Sequence, residues 1–173
     1  MKKDTCSRIK DVTKSWKEKV KPKVGEIEVS NYTVAKSGGK FDAHNSTLGE
    51  IQEEEKDIGT WFKNTIWGDV KIQRGVMWPR YEKSADLLIL NDCPFLSEQT
   101  IEIKTLKNAK NIKSVTTRLR KGKGQSSNIL FDITKSSLDK NSTIERSKNY
   151  LIESDWLKVL IIKNNNDYCV YEK

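Results

Sequence analysis

Cysteine is scarce in this chain. There are three, Cys6, Cys93 and Cys169, widely spaced, odd in number and without a CxxC pair. That argues against a disulfide framework and a structural zinc site and leaves plain thiols. Histidine is scarcer, with His44 alone, and no partner motif offers it a Ser–His or Cys–His catalytic system. Long apolar runs are missing too. No run is longer than LLIL at 87–90, far short of the roughly 20 residues that a membrane-spanning helix needs. The first ten residues, MKKDTCSRIK, lack the apolar segment of a signal peptide.

What is present is a moderate apolar content and abundant charge. Of 173 residues, 35% are hydrophobic and 32% charged, which suits one domain with a core and a very polar surface. The net charge of +8 is unevenly placed. Between Glu102 and Gly124 lie Lys104, Lys107, Lys110, Lys113, Arg118, Arg120, Lys121 and Lys123 against one acid, Glu102, so this window carries +7. A concentrated positive charge fits a polyanionic partner such as nucleic acid. A solvated basic face is the plainer alternative.

Periodicity sketches the elements. Ile9, Val12, Trp16 and Val20 predict a helix over 7–20 that Pro22 ends. Residues 1–39 read as an appendage and 40–173 as the main domain. A helix is expected from Leu48 to Asn64, opened by a capping box of Thr47 and Glu50, with Leu48, Ile51, Ile58 and Phe62 as its stripe. Strands follow at 69–78, 85–90 and 100–106, the last two as a hairpin. Ala109, Ile112, Val115 and Leu119 give a basic amphipathic helix ended by KGKG. A strand at 128–134, a helix capped by Ser142 and Glu145, and a hairpin around NNND complete a mixed α/β core. Trp16, Trp61 and Trp156 are expected in the core. Trp67 and Trp78 flank the first of those strands, and Trp78, before Pro79-Arg80-Tyr81, is expected to pack, with stacking on a base as the other option.

The stretch TIEIK allows two readings. Residues i and i+2 of a strand share a face, so Glu102 and Lys104 point together while Ile101 and Ile103 point away. That is either ordinary strand surface or an acid–lysine pair for metal-assisted phosphodiester hydrolysis. In the second case the acid holds a hard cation such as Mg²⁺ and the lysine orients water or balances charge at phosphorus. Asp86, heading the partner strand, supplies the second acid, unless it is only a solvated strand-entry residue. Within the predicted helix, Glu55 falls inside the apolar stripe, where an unpaired carboxylate is costly. Glu55 is therefore preferred as a third acid, ahead of Glu50 and then Glu54.

A helix acid, Asp86 on one strand and Glu102-x-Lys104 on the next resemble the PD-(D/E)xK nuclease superfamily, with alanine in SADLLIL where the usual proline would stand. The pieces GGKFDAH, ADLLIL, EIKTLKNAK and RLRKGKGQSSNILFDIT, in that order over about 38–170, are similar to the C-terminal tRNA nuclease domains of CdiA-type contact-dependent inhibition toxins. The resemblance implies a PD-(D/E)xK-like mixed sheet flanked by helices, a tRNA substrate, a divalent metal and a bound immunity protein. It also implies delivery within a larger secreted or surface protein and action in the cytoplasm of a target bacterium. Carried over, Asp86 and Glu102 hold the metal, Lys104 is the lysine and Glu55 or Glu50 the helix acid. Gln125 matches a polar position that touches the scissile phosphate or is a loop amide. The basic side chains from Lys107 to Lys123 hold the substrate, and His44 is read either as a further contact to RNA or, more plainly, as a structural or solvated residue. A DNase of the same superfamily and a non-catalytic nucleic-acid-binding module are the competing readings.

Overall fold

The computed structural model describes residues 9–173 apart from 43, 45, 79–81, 92 and 97. Cys6, the first two residues of the expected N-terminal helix and Pro79-Arg80-Tyr81 lie outside the described residues.

The fold is a mixed α/β arrangement around an eight-stranded sheet. In chain order the elements are β1 (Lys10–Asp11), α1 (Thr13–Lys19), β2 (Glu28–Val29), β3 (Tyr32–Val34), β4 (Lys40–Asp42), β5 (Thr47–Leu48) and α2 (Glu53–Thr65). Then come β6 (Val70–Ile72), β7 (Val76–Trp78), β8 (Leu87–Ile89), β9 (Thr100–Thr105), α3 (Lys113–Arg120), β10 (Asn128–Asp132), α4 (Lys140–Glu153), β11 (Val159–Asn164) and β12 (Asp167–Glu172). The large sheet runs β1-β12-β11-β10-β9-β8-β6-β2, while β3–β4 and β5–β7 form two small antiparallel pairs.

The central strands β9, β10 and β11 are parallel, and α3 and α4 lie between them in sequence as crossovers. Such strands are covered on both faces and read as unbroken apolar runs, as ILF in β10 and VLII in β11 do. Ile101, Ile103, Leu130 and Ile161 join the cluster containing Trp16, Ile58 and Phe62. Ile129, Phe131, Leu160 and Ile162 join the cluster containing Val115, Leu119, Tyr150 and Leu151. Helices α1 and α2 thus cover one face and α3 and α4 the other.

Several expectations are corrected. The helix α2 begins at Glu53, with Gln52 as its N-cap, because Thr47 and Leu48 are taken up by pairing with β7. The Thr47–Glu50 capping box does not form. The expected 69–78 strand is two strands in different sheets, with Gln73 to Gly75 between them. The α4 helix is capped by Asp139, whose carboxylate accepts the Ser142 N–H at 2.8 Å, so Ser142 is a capped residue and not the cap. The N-terminal helix covers only 13–19. Residues 10–39 supply β1 and β2 to the main sheet and Trp16 and Ile27 to the core, and the β3–β4 pair spans residue 39.

Candidate active site

The β8–β9 hairpin does what TIEIK needed. Leu87 pairs with Ile101 and Leu88 with Thr100 in antiparallel register, which brings Asp86, just before β8, beside Glu102. The Asp86 carboxylate accepts the Ile103 N–H at 2.9 Å. Glu102 and Lys104 lie in register with Ile129 and Phe131, and the first turn of α2 reaches the same cleft. The Glu102 side chain is only 3% exposed. Its Oε1 accepts from Lys104 Nζ at 2.7 Å, and its buried Oε2 has no hydrogen-bond donor among the described residues unless the adjacent Asp86 carboxyl is protonated and shares its proton with Glu102.

Two acids confined together out of water resist double ionisation. Burial pushes the Asp86 carboxyl well above its ordinary range, and the neighbouring Glu102 charge adds to the push. Burial also raises Glu102, against the pull of Lys104. Glu55, in the first turn of α2, is pushed up to about 7 by burial and then by the Asp86 charge, with the Gln52 hydrogen bond and Lys104 opposing. Three carboxylates and one ammonium therefore form one electrostatic unit, built from α2, the start of β8, and β9.

Gln125, in the turn after α3, completes the centre. Its Oε1 accepts from Lys104 Nζ at 3.3 Å and its Nε2 donates to the Ser84 carbonyl at 3.4 Å. A further residue, Gln73, carried no signal in the sequence, because a glutamine between Ile72 and Arg74 looks like a surface position. It is buried. Its backbone N–H donates to the Asp86 carbonyl at 2.7 Å, its Nε2 donates to the Ala85 carbonyl at 2.9 Å, and its Oε1 accepts the Val34 N–H at 2.7 Å. The backbone that carries Asp86 is clamped by this one amide.

The centre opens into a cleft of about 440 Å³ lined by Glu54, Glu55, Glu102, Lys104, Lys107 and Arg118 among others. A groove of about 640 Å³ lined by Lys110, Lys113 and Lys121 adjoins it, and Thr105, Lys107 and Arg118 line both. Arg118 is anchored by donating from Nε to the Thr105 carbonyl at 2.8 Å, while Lys107 is ion-paired with Glu54. Lys135, whose charge reaches Glu54, is an exposed cation near this rim that the sequence reading missed. Arg120 and Lys123 are exposed and line neither space.

Other expected site residues fall elsewhere. Glu50 precedes α2, is exposed and does not line the cleft. His44 is exposed between β4 and β5, with its N–H donating to Asp42 at 3.1 Å, and does not line the cleft either. Trp78 is 58% exposed beside Met77 at 57%, so it does not pack; its strand lies in the small β5–β7 pair. Trp16 and Trp67 are buried, and Trp61 and Trp156 pack partly buried against the two core clusters.

No group of three or more His, Cys, Asp or Glu side chains among the described residues is arranged to hold a metal ion. The Asp86–Glu102 pair fits a cation that takes one or two protein carboxylates and completes its shell with water and phosphate, as Mg²⁺ does. The hard oxygen donors, the buried Glu102 Oε2 left without a donor when Asp86 is ionised and the mutual repulsion of the acids are what such a cation relieves.

A mixed, helix-covered sheet with an acid–lysine centre beside a basic groove is an α/β architecture of the nuclease-like kind. The family described as the contact-dependent growth inhibition CdiA C-terminal domain has a model that matches residues 95–167, the stretch holding Glu102, Lys104, α3 and Gln125 but not Asp86 or α2. Among solved structures, the CdiA-CT/CdiI toxin and immunity complex from Burkholderia pseudomallei is similar, with a TM-score of 0.48, 14% identity, and coverage of 74% of this chain and 97% of that one. No curated protein matches.

Proposed function

We propose that this chain is the nuclease domain of a contact-dependent inhibition toxin, cleaving RNA, with tRNA as substrate, in a reaction that depends on a divalent cation held by Asp86 and Glu102. The observation that carries the reading is the juxtaposition of Asp86 with Glu102 and Lys104, the last two lining a cleft that runs into a groove of lysines. The family match over 95–167 supports the toxin part, and with it delivery as the end of a larger surface protein, action inside the target cell and restraint by an immunity protein.

When bound, Mg²⁺ supplies Lewis-acid chemistry: it polarises the phosphoryl oxygen and acidifies water. The protein's own groups do the rest. The Lys104 ammonium stands where it can orient the attacking water and offset negative charge growing on phosphorus. Glu55, raised to about 7 by burial and by the Asp86 charge in the metal-free protein, would be brought down by a neighbouring cation and so be ionised and ready to accept a proton from that water at neutral pH. Gln125 offers an amide to a phosphate oxygen. Lys107, Lys110, Lys113, Arg118 and Lys121 hold the backbone by charge without reading sequence.

The test is incubation with total tRNA and with plasmid DNA, in Mg²⁺ or in EDTA. Cleavage of tRNA is expected only with Mg²⁺. Glu102→Gln is expected to lower it at least about a hundredfold while binding persists. Plasmid cutting with tRNA left intact overturns the RNA assignment. Binding with no cleavage, unchanged by Asp86→Asn, overturns the enzymatic one.

A further inference from the structure

We propose that the cavity between the β3–β4 hairpin and the start of β9, lined by Lys36, Gln99, Thr100 and Gln125, is a second nucleic-acid subsite, taking the substrate strand where it leaves the carboxylate centre on the side away from the basic groove. This rests on the nuclease reading above and adds a place for the strand that the charge window from Glu102 to Gly124 does not contain.

The cavity has a volume of about 320 Å³ and adjoins the centre through a shared residue. Gln125 lines it and also accepts from Lys104 inside the centre. A polynucleotide threading a cleft must have room on both sides of the bond being cut, and this space shares no lining residue with the cleft or the basic groove. Its outer wall is fixed to the strand that carries Asp86. Ala35 bridges to Ser84, the Lys36 N–H donates to the Lys83 carbonyl at 2.7 Å, and the Val34 N–H is held by Gln73. Gly124 presses on the same segment: its φ is +85°, and a Cβ there would lie 3.0 Å from the Lys83 side chain. Hairpin, Asp86 strand and Gln125 turn thus form one framed opening.

Lys36 supplies the charge. Its side chain is 42% exposed and its Nζ lies 3.1 Å from Glu98. The Glu98 carboxylate also accepts from Ser126 Oγ at 3.0 Å, from Ser127 Oγ at 2.9 Å and from the Ser127 N–H. Those three donors all reach Glu98 Oε1, so when Lys36 turns to a phosphate that oxygen keeps its partners, while Oε2, whose donor is Lys36, turns to water at the cavity that Glu98 also lines. An exposed pair of this kind is held weakly, and a phosphate group offers the ammonium a stronger partner.

The experiment measures binding of unfractionated tRNA to Glu102→Gln protein without Mg²⁺, across a range of salt. Lys36→Ala is expected to weaken binding and to reduce the slope of log affinity against log salt by about 0.7, the release expected for one single-strand phosphate contact. Lys36→Gln, which keeps much of the side-chain stem, is expected to give the same loss, and Lys17→Ala on α1 none. Parent-like affinity and slope in both Lys36 variants, with Lys110→Ala still lowering both, overturns the subsite and leaves the nuclease reading standing. Failure of the parent to bind tRNA overturns both.

Discussion

Glu55 shows how much one side chain's surroundings decide. In water it would titrate in the ordinary carboxylate range, but burial beside Asp86 moves it to about 7. If it accepts the proton from water, tRNA cleavage rises with pH and levels below about 7, because a cation held by Asp86 and Glu102 would pull the Glu55 carboxyl down from its metal-free position, and Glu55→Gln flattens that rise; a rate profile between pH 4 and 9 checks it. The same shift acts on stability with the opposite slope. The folded state holds the Glu55 proton more tightly than the unfolded chain, so its contribution is complete below the unfolded pKa of 4.5 and is lost as pH rises through about 7. Urea unfolding in EDTA is therefore expected to show stability falling across that window, and falling less in Glu55→Gln. A profile that is flat in the parent would remove Glu55 from the acid cluster.

The helices depend on their ends as much as on their stripes. In α4 the Asp139 carboxylate accepts from both the Ser142 N–H and its hydroxyl at 2.8 Å. Asp139→Ala is expected to cost about 1 kcal/mol, the usual worth of an N-cap. Glu145→Ala, at the position a capping box would have used, is expected to cost less than about 0.5 kcal/mol, as at an ordinary surface site. Denaturant midpoints separate the two, and equal losses would restore the capping box. At α2 the expected start failed for a different reason. Thr47-x-x-Glu50 has the local pattern of a cap, but pairing of Thr47 and Leu48 with β7 is a contact between segments that no local window sees. The consequence is chemical: Glu55 sits in the first turn, at the mouth of the cleft, and Glu50 lies outside it.

Over the whole molecule, the N-terminal segment belongs to the core. Trp16 is 2% exposed, stacks on Phe95 with ring centroids 4.7 Å apart, and sits in the cluster under α2. Trp16→Ala is expected to cost about 3–5 kcal/mol, enough to threaten the fold, and thermal melts would show it. A loss below about 1 kcal/mol would mean that residues 10–20 are a detachable appendage after all. Segments such as β1 and β2, two residues each, have too little periodicity to be read locally and exist because longer strands offer them an edge. The β9, β10, β11 and β12 strands, by contrast, were legible, since each is five or six residues long with a sustained apolar or alternating pattern.

The sequence by itself determined the chemical character of this protein: the clustered positive charge, the Glu102–Lys104 spacing that puts two groups on one strand face, and the runs that build a sheet covered on both sides. These are properties of composition and of neighbours a few residues apart, so the chain displays them unfolded. Only the tertiary structure decided which groups meet. Asp86 lies 16 residues before Glu102, Gln125 lies 21 after Lys104, and Gln73 clamps the Asp86 backbone from a third segment. Their convergence follows from strand register and from burial that leaves one amide and one carboxylate oxygen inside the protein, and such long-range constraints are met only when the whole sheet has formed.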